Sequence, residues 1–281
     1  MAGVLYLIAT PIGNLEDITL RALRLLREAD VVACEDTRQT RKLLARYGIA
    51  RPLVSYHEHN EATRAPQLLA RLQAGQSVAL VSDAGTPLIS DPGHRLVCQA
   101  VAAGIAVVPI PGPSALLAAL AGSGLPAETF HFAGFLPAKR SERLEALGSL
   151  REERATVVLY EAPHRILETL EDLEATLGPR RVVVARELTK IHEEFLRGTA
   201  AEIRRILASR PAVRGEFTVV IEGARPEKTR AEASADLRAA VEERQRQGLS
   251  RMEAIKAVAR ERGLPKRSVY QLVELDERSE A

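Results

Sequence analysis

The sequence is poor in cysteine, with only Cys34 and Cys98 among 281 residues. Two cysteines make no disulfide framework, and their spacing fits no metal site, so we interpret both as small core residues. The sequence also lacks any apolar run near the roughly 18 residues that span a membrane, and it lacks the basic start and cleavage site of a secretory signal. These absences predict a cytoplasmic protein.

Neither sign of charge is in large excess. The formal net charge is +2, with 26 basic and 26 acidic side chains in residues 1–224 and 13 against 11 from residue 225 onward. This balance excludes a protein coated with positive charge for binding nucleic acid. Any contact with RNA or DNA must therefore come from local basic patches.

The first half of the chain alternates short runs rich in Val and Ile with amphipathic stretches. The predicted strands lie in VLYLIAT, DVVACED, PLVSYHE, SVALVSD and IAVVPIP, and the predicted helices cover residues 19–29, 38–47, 61–74, 94–103 and 114–121. Continuous apolar strands separated by helices indicate a buried parallel sheet wrapped in helices.

A second series of strands and helices follows with a different rhythm. Strands are predicted in TFHFAGF, ATVVLYE, RVVVARE and GEFTVVIEG, with helices near residues 141–150, 165–177 and 200–208. The polar stretch EFLRGTAAE has room for an antiparallel strand or hairpin. We therefore predict a second α/β domain with a mixed sheet.

The composition changes after Gly223 to a polar connector, ARPEKTRAEAS, and then to helical sequence. Ser250 with Glu253 three residues later forms a capping box, and Gly263 falls in the turn of a helix-turn-helix pattern. A plain helical hairpin is the alternative, and nucleic-acid contact by this segment stays open. The predicted domains are two α/β domains at residues 1–115 and 116–224 and a small helical domain at residues 233–281.

Polar and small residues collect where the five strands of the first half end. These ends read TPIGN, EDTR, HEHNE, SDAGTP and PGPSA. Ligands of open parallel sheets bind outside the carboxyl ends of the strands, so the pattern predicts a binding site there. Helix caps and turns are the alternative explanation, although they account for one or two ends better than for all five.

Phosphate-binding signatures are absent from these loops. No G-x-G-x-x-G motif opens the first helix, and no G-x-x-x-x-G-K-[ST] motif occurs in the chain. The AGTP loop at residues 84–87 offers backbone groups and small side chains without a lysine. We therefore expect a cofactor with little or no phosphate, such as a nucleoside derivative.

Several longer strings together resemble the ribosomal RNA small subunit methyltransferase I family. The strings are ATPIGNLEDIT, EDTR, SYHEHNE, VSDAGTPLISDPG, PIPGPSA, GFLP and YEAPHR, and the resemblance covers residues 4–223. It implies the tetrapyrrole methylase fold, in which two α/β domains hold S-adenosyl-L-methionine in the cleft between them. The implied reaction is methylation of the 2′-hydroxyl of a cytidine in 16S rRNA, and the implied assembly is a homodimer.

The first loop departs from the wider class, which usually has G-x-G-P-G-D where this chain has ATPIGN at residues 9–14. Pro11 and Gly13 keep the shape of the loop, but the aspartate is missing. This departure favours the ribosomal branch over enzymes that act on porphyrin-like rings.

The resemblance also implies which residues contact S-adenosyl-L-methionine. The backbone of the loop after the fourth strand contacts the methionine end of the cofactor, and the loop after the fifth strand contacts the cofactor from the facing side. Pro11 forms part of the wall of the cleft, and two residues of the second domain close over the adenosine. The implied residues are Pro11, Ala84, Gly85, Thr86, Ile89, Ser114, Ala115, Glu161 and Leu188.

A general base is useful because a ribose hydroxyl is a poor nucleophile until its proton starts to leave. Asp83 is our first choice, with Glu35 and His57 next, although capping its own turn explains Asp83 equally well. Asp36, Glu58 and His164 are the remaining candidates. His57 and His59 alternate along a strand end and point to opposite faces, and methyl transfer needs no metal, so we expect no metal site.

Several basic residues flank the expected cleft and could meet RNA phosphates. They are Arg38, Lys139, Arg140, Arg143, His164, Arg165 and Lys190. A solvated charged surface is the alternative for each of them. Since the target cytidine lies in a folded site, the expected partner is an assembled or partly assembled small ribosomal subunit rather than free RNA.

Two other functions remain open at this point. The same fold could methylate a tetrapyrrole or a modified amino acid on a protein. Alternatively, the chain could be a nucleic-acid-binding regulator whose α/β body senses a metabolite, which would normally require a basic recognition helix.

Overall fold

The computed structural model of the chain describes residues 3–224 and 230–274. The two described ranges belong to two separate compact units, with the division at Ala224. Among the described helices, none has the length and apolar character needed to cross a membrane.

The first sheet has five parallel strands in the order β3-β2-β4-β1-β5. Its strands are β1 (Val4–Ile8), β2 (Val31–Cys34), β3 (Leu53–Ser55), β4 (Val78–Val81) and β5 (Ala106–Ile110). The helices between them are α1 (Leu20–Glu28), α2 (Thr37–Arg46), α3 (Glu61–Gln73) and α4 (His94–Ala102). The parallel sheet predicted for the first half is confirmed.

Both faces of this sheet are covered, which explains why its strands are apolar throughout. In β2, Val32 and Cys34 join the core formed with α1 and α2, whereas Val31 and Ala33 join the core formed with α3 and α4. Successive side chains of a strand point to opposite faces, so a strand buried on both sides has no polar positions. The polar residues are left to the strand ends.

The second sheet is mixed, in the order β6-β7-β10-β8-β9. Its strands are β6 (Phe130–Phe135), β7 (Thr156–Glu161), β8 (Arg181–Arg186), β9 (Glu194–Thr199) and β10 (Phe217–Ile221), and its helices are α6 (Arg140–Ser149), α7 (Ile166–Leu177) and α8 (Ala200–Ala208). Strands β6 and β7 are parallel, while β10 runs antiparallel to both β7 and β8, and β9 runs antiparallel to β8. The predicted mixed sheet is confirmed, including an antiparallel strand in the EFLRGTAAE stretch.

A shared apolar cluster lies between the two sheets. It contains Ile12 from the loop after β1 and Leu116 from α5 (Ala115–Ser123). From the second sheet it contains Val183 of β8 and Leu188 of the loop that follows β8. The predicted domain boundary at residue 115 coincides with the start of α5 and stays a prediction, since residues 3–224 form one compact unit.

The described part of the second unit, residues 230–274, consists of three helices, α9 (Arg230–Arg246), α10 (Arg251–Glu261) and α11 (Lys266–Glu274). Val241, Ile255, Val258 and Val269 share its core. The capping box predicted at Ser250 and Glu253 is present at the start of α10, and Gly263 takes a φ of +63° between α10 and α11. Of the domain predicted at residues 233–281, residues 275–281 lie outside the described residues, as does connector segment 225–229.

Candidate functional site

A cavity of about 380 Å³ lies where the carboxyl ends of β1, β4 and β5 face the end of β7 and the start of β10. Its wall on the first sheet is formed by Ile12, Asp83, Ala84, Gly85, Thr86, Ile89, Ser90, Asp91, Ser114 and Ala115. Its wall on the second sheet is formed by Phe135, Tyr160, Glu161, Ala162, Pro163, Glu216, Phe217 and Thr218. We call this cavity the central cavity.

The loop after β4 is held in place by backbone hydrogen bonds. Thr10 and Gly85 each donate an N–H to the other's carbonyl, both at 2.9 Å, and the Thr86 hydroxyl donates to the carbonyl of Pro113 at 3.3 Å. Gly85 has a φ of +91°, a conformation that side chains with a Cβ rarely adopt. This part of the cavity wall is therefore formed by backbone in a fixed conformation.

Left-handed backbone at residues other than glycine occurs at four positions of the described chain, and all four lie in two loops. Leu88 and Ser90 have φ values of 73° and 62° in the loop after β4, and Glu187 and Thr189 have φ values of 51° and 67° after β8. Such conformations cost of order 1–3 kcal/mol each and cluster at functional sites. These two loops therefore hold a particular backbone conformation at a cost in folding free energy, which is typical of a functional site.

The loop after β8 contacts the first loop of the chain. The backbone N–H of Asn14 donates to the Thr189 hydroxyl at 3.1 Å, and a Cβ on Gly13 would lie only 2.5 Å from Cγ of Lys190. Lys190 Nζ in turn donates to carboxylates of Glu187 at 2.8 Å and Glu216 at 3.1 Å. This contact joins the loops of the two sheets beside the central cavity.

Most of the residues expected to hold the cofactor line the central cavity. Those that do are Ala84, Gly85, Thr86, Ile89, Ser114, Ala115 and Glu161. Pro11 and Leu188 are buried outside its lining, and the cavity is reached instead by Ile12, the residue after Pro11. The individual contacts of these nine residues with a ligand stay a prediction.

Glu161 has a structural use for its carboxylate. It accepts hydrogen bonds from the Thr169 hydroxyl at 2.6 Å, the Ala162 N–H at 2.8 Å and the Arg165 guanidinium at 3.2 Å. These hydrogen bonds fix the loop after β7. Glu161 therefore shapes the cavity wall, and its carboxylate is occupied by donors of the protein.

Of the three leading base candidates, Asp83 lines the central cavity, and Glu35 and His57 lie outside its lining. Asp83 Oδ1 accepts a hydrogen bond of 3.0 Å from the backbone N–H of Asp36. Asp36 itself caps α2 and pairs with Arg38 at 2.8 Å, which lowers its pKa to about 2. Burial and the neighbouring Asp83 raise the pKa of Glu35. His57 is half-buried, and its Nδ1 has no hydrogen-bond partner.

Arg143 was expected to contact RNA, and the structure corrects that expectation. Its side chain is 1 % exposed, and Nε donates to the equally buried Asp172 at 2.8 Å. A guanidinium enclosed in this way has no surface to offer a phosphate. The sequence pattern missed this because Arg143 is one of several basic residues at the start of an amphipathic helix.

The other basic candidates keep different degrees of exposure. Arg38, Lys139, Arg140 and His164 lie at the surface, although Arg38 pairs with Asp36, Lys139 with Glu142 and Arg140 with Asp172. Arg165 and Lys190 are partly buried in ion pairs with Glu161 and Glu187. Phosphate contact by these six residues stays a prediction.

Sequence reasoning missed about half of the cavity wall. Asp91, Phe135, Tyr160 and the Glu216–Thr218 segment all line the cavity. Burial raises the pKa of Asp91 to about 6, with a further rise from the charges of Glu35 and Asp83 and an opposing effect of the Ser82 hydroxyl. The second aspartate of SDAGTPLISDPG was a visible signal for Asp91. Nothing in the sequence showed that the amino end of the antiparallel strand β10 would reach the site.

The lining chemistry defines the kind of ligand that fits. Four carboxylates, Asp83, Asp91, Glu161 and Glu216, line the cavity, and none of its lining residues is Lys or Arg. The other lining residues are apolar or aromatic, except for the small hydroxyl side chains of Thr86, Ser90, Ser114 and Thr218. The ring centroids of Phe135 and Tyr160 lie 5.6 Å apart. Such a wall disfavours a phosphate and suits a compact ligand that carries positive charge. The sulfonium and ammonium groups of S-adenosyl-L-methionine meet this description.

Comparison with known proteins places this chain in a defined class. Residues 4–204 match the family model of the tetrapyrrole (corrin/porphyrin) methylases, and the chain belongs to that family.

Relatives of higher sequence identity assign the chain to a narrower family within the tetrapyrrole methylases. Ribosomal RNA small subunit methyltransferase I of Halalkalibacterium halodurans is 50 % identical over 274 residues, which are 96 % of this chain and 94 % of the relative. The protein of the same name from Bacillus subtilis is 45 % identical over 272 residues, covering 95 % and 93 %. Within the tetrapyrrole methylases, the chain is therefore a member of the ribosomal RNA small subunit methyltransferase I family.

Solved structures with lower identity show the same fold. Diphthine synthase superposes with a TM-score of 0.58 at 18 % identity, covering 78 % of this chain and 90 % of that one. Uroporphyrin-III C-methyltransferase from Thermus thermophilus, in complex with S-adenosylhomocysteine, superposes with a TM-score of 0.54 at 22 % identity, covering 78 % and 97 %. The tetrapyrrole methylase fold implied by the sequence resemblance is thus confirmed.

Proposed function

We propose that this protein transfers the methyl group of S-adenosyl-L-methionine to ribosomal RNA of the small subunit. The proposed acceptor is the 2′-hydroxyl of a cytidine in 16S rRNA. The observation that carries the proposal is the central cavity, whose lining has carboxylates, aromatic rings and exposed loop backbone but no cation. The names of the relatives, at about half identity over nearly the whole chain, support ribosomal RNA as the substrate.

In the proposed reaction, S-adenosyl-L-methionine supplies a methyl group on a sulfonium, which is already activated for displacement. The residues of this chain then have to bind, orient and exclude water. Ala84, Gly85 and Thr86 present backbone groups to the methionine end, and Ser114 and Ala115 lie beside them on the first-sheet wall of the cavity. The rigid hydrogen bonding of the loop after β4 means that little ordering is left to occur on binding.

The RNA would be held by cations outside the cavity, because the cavity itself has none. Arg38, Lys139, Arg140 and His164 are exposed and are the proposed phosphate contacts. A ribosomal substrate would place the reaction in the cytoplasm, and its folded target site favours an assembled subunit over free RNA. A homodimer is part of the proposal because the family resemblance implies it, and sedimentation of the full chain would test it.

The test is transfer of labelled methyl from S-adenosyl-L-methionine to three acceptors. They are small subunits from cells that lack this activity, protein-free rRNA from the same subunits, and a uroporphyrin-type tetrapyrrole. We expect label on the rRNA of intact subunits and none on the ring, since the first loop carries Asn14 where ring-modifying relatives usually have aspartate. Label on the tetrapyrrole alone would contradict the proposal while leaving the assignment of the methyl donor in place.

A further inference from the structure

Three of the four carboxylates that line the central cavity accept hydrogen bonds from a backbone amide or a charged side chain of the protein. Asp83 accepts from the backbone N–H of Asp36, Glu161 from Thr169 and Arg165, and Glu216 from Lys190. Asp91 differs from them. Within the described part of the chain, it is paired with no cation and accepts from no backbone amide, and its protein donor is the Ser82 hydroxyl. One hydroxyl donor leaves acceptor positions of the two carboxylate oxygens available to a bound molecule.

The position of Asp91 is fixed by the loop after β4. It follows Ser90, whose left-handed backbone aims this part of the chain, and it borders the same cavity as Ala84, Gly85 and Thr86. It is half-buried. Across the cavity stands Tyr160, whose hydroxyl accepts from the backbone N–H of Leu116 at 3.2 Å. Burial raises the pKa of Tyr160, and the charge of Asp91 adds to the rise, so the two side chains lie within electrostatic reach of each other.

We propose that Asp91 is the proton acceptor of the methyl transfer, an inference that rests on the function proposed above. A lone pair of the 2′-oxygen forms the new C–O bond with the methyl carbon. The C–S bond breaks, and its electron pair stays on sulfur, which leaves S-adenosylhomocysteine. The proton of the hydroxyl goes to the Asp91 carboxylate, which becomes a neutral carboxyl group and later releases the proton to water.

The surroundings of Asp91 suit this task. Burial is the main cause that raises its pKa to about 6, the charges of Glu35 and Asp83 add to it, and the Ser82 hydroxyl opposes it. Asp91 is then mostly ionised at pH 7 and is a stronger base than an aspartate of ordinary pKa. Asp83, by comparison, already accepts a backbone N–H, which favours its role as a fixed part of the loop.

The test compares Asp91→Asn with the wild-type chain in single-turnover methyl transfer to small subunits at saturating S-adenosyl-L-methionine. We expect the rate to fall by about 10² to 10⁴, the usual contribution of a general base. The dissociation constant of S-adenosyl-L-methionine should rise far less than the rate falls, because the amide keeps the shape of the side chain and the other three carboxylates of the cavity remain. Asp17→Asn is the matched control, since Asp17 is exposed in the short turn Leu15–Asp17 and does not line the cavity.

The pH dependence gives a second readout that a structural role would not produce. The wild-type rate should fall below about pH 6 as Asp91 takes up a proton, and Asp91→Asn should lack this limb. Glu35→Gln removes a like charge, so the pKa of Asp91 should drop and the limb should move to lower pH. Glu35→Gln also keeps the inference testable if Asp91→Asn does not fold.

Three results would overturn the inference. Asp91→Asn could keep the wild-type rate and its acid limb. It could instead weaken binding of S-adenosyl-L-methionine and recover the full rate at saturation, which would make Asp91 a contact of the methyl donor. Finally, failure of the wild-type chain to methylate subunit RNA under any condition would overturn the proposed function and the inference with it.

Discussion

The Oδ1 atom of Asp83 lies 3.0 Å from the backbone nitrogen of Asp36 and accepts its hydrogen bond. The contact ties the loop after β4, which forms one wall of the central cavity, to the loop after β2. A side chain that fixes two loops in this way contributes to ligand binding through the conformation of the loop. It also explains why an aspartate stands here without assigning it the role of base.

This relationship separates two substitutions of Asp83. Asp83→Asn keeps an acceptor oxygen for the Asp36 N–H, whereas Asp83→Ala removes it. We expect Asp83→Ala to weaken S-adenosyl-L-methionine binding by about three- to tenfold, the equivalent of one hydrogen bond, and Asp83→Asn to weaken it less. Isothermal titration of both variants measures this. Equal and large losses of transfer rate in both variants, with binding intact, would instead support Asp83 as the base.

Gly85→Ala tests whether the left-handed backbone of the cavity loop matters for binding. A Cβ at Gly85 has room, with Cγ2 of Ile12 at 3.5 Å, so the cost comes from the φ of +91°. Strain of roughly 1–2 kcal/mol should disturb the loop and raise the dissociation constant of S-adenosyl-L-methionine by about tenfold.

Gly48→Ala is the matched control for this strain. Gly48 has a φ of +62° after α2, a Cβ there would meet no atom within 4 Å, and it does not line the central cavity. Thermal unfolding should show that both variants lose stability, while calorimetry should show weaker binding in Gly85→Ala alone. Unchanged binding by folded Gly85→Ala would argue against this loop as part of the site.

We expect Arg143 to stabilise the fold rather than to bind RNA. Arg143→Met leaves the buried Asp172 with Arg140 as its remaining ion-pair partner, so we expect the free energy of unfolding to fall by about 3–5 kcal/mol. The side chain of Arg140 is 66 % exposed, and Arg140→Met should cost less than about 1 kcal/mol. Urea unfolding of both variants decides the matter. If Arg143→Met were as stable as the wild type and bound small subunits more weakly, Arg143 would be an RNA contact after all.

Truncation after Ala224 separates the enzyme from a nucleic-acid-binding regulator. Residues 3–224 contain both sheets, four apolar cores and the whole central cavity, so the shortened chain should fold and bind S-adenosyl-L-methionine as the full chain does. We expect it to retain methyl transfer to small subunits in the labelled assay. Loss of all RNA binding, with no transfer by either form, would favour the regulator.

The fold could be predicted well because the strands and helices of both sheets follow from local patterns of apolar and turn-forming residues. Continuous runs such as VVAC and VALV require burial on both faces, and residues with a clear turn preference, such as Gly48, Gly75 and Gly104, separate them from the helices. The loops at the carboxyl ends of β4 and β5 could likewise be placed at a ligand site. Local pattern and strand order were sufficient for these elements.

What could not be predicted depends on contacts between distant parts of the chain. Phe217 and Thr218 reach the cavity because β10 inserts antiparallel between β7 and β8, a strand order that the sequence does not encode locally. The burial of Arg143 depends on Asp172, which lies 29 residues away on the next helix. Asp91, which has neither a cation nor a backbone amide as a partner, became distinguishable from Asp83 only once the partners of both carboxylates were known.

The identity of the methylated nucleoside is the most direct test of the proposed reaction. After transfer of labelled methyl to small subunits that lack the modification, the rRNA is digested to nucleosides and the labelled product is identified by chromatography and mass. We expect 2′-O-methylcytidine as the labelled product. Label on a base, on another nucleoside or on a ribosomal protein would contradict it.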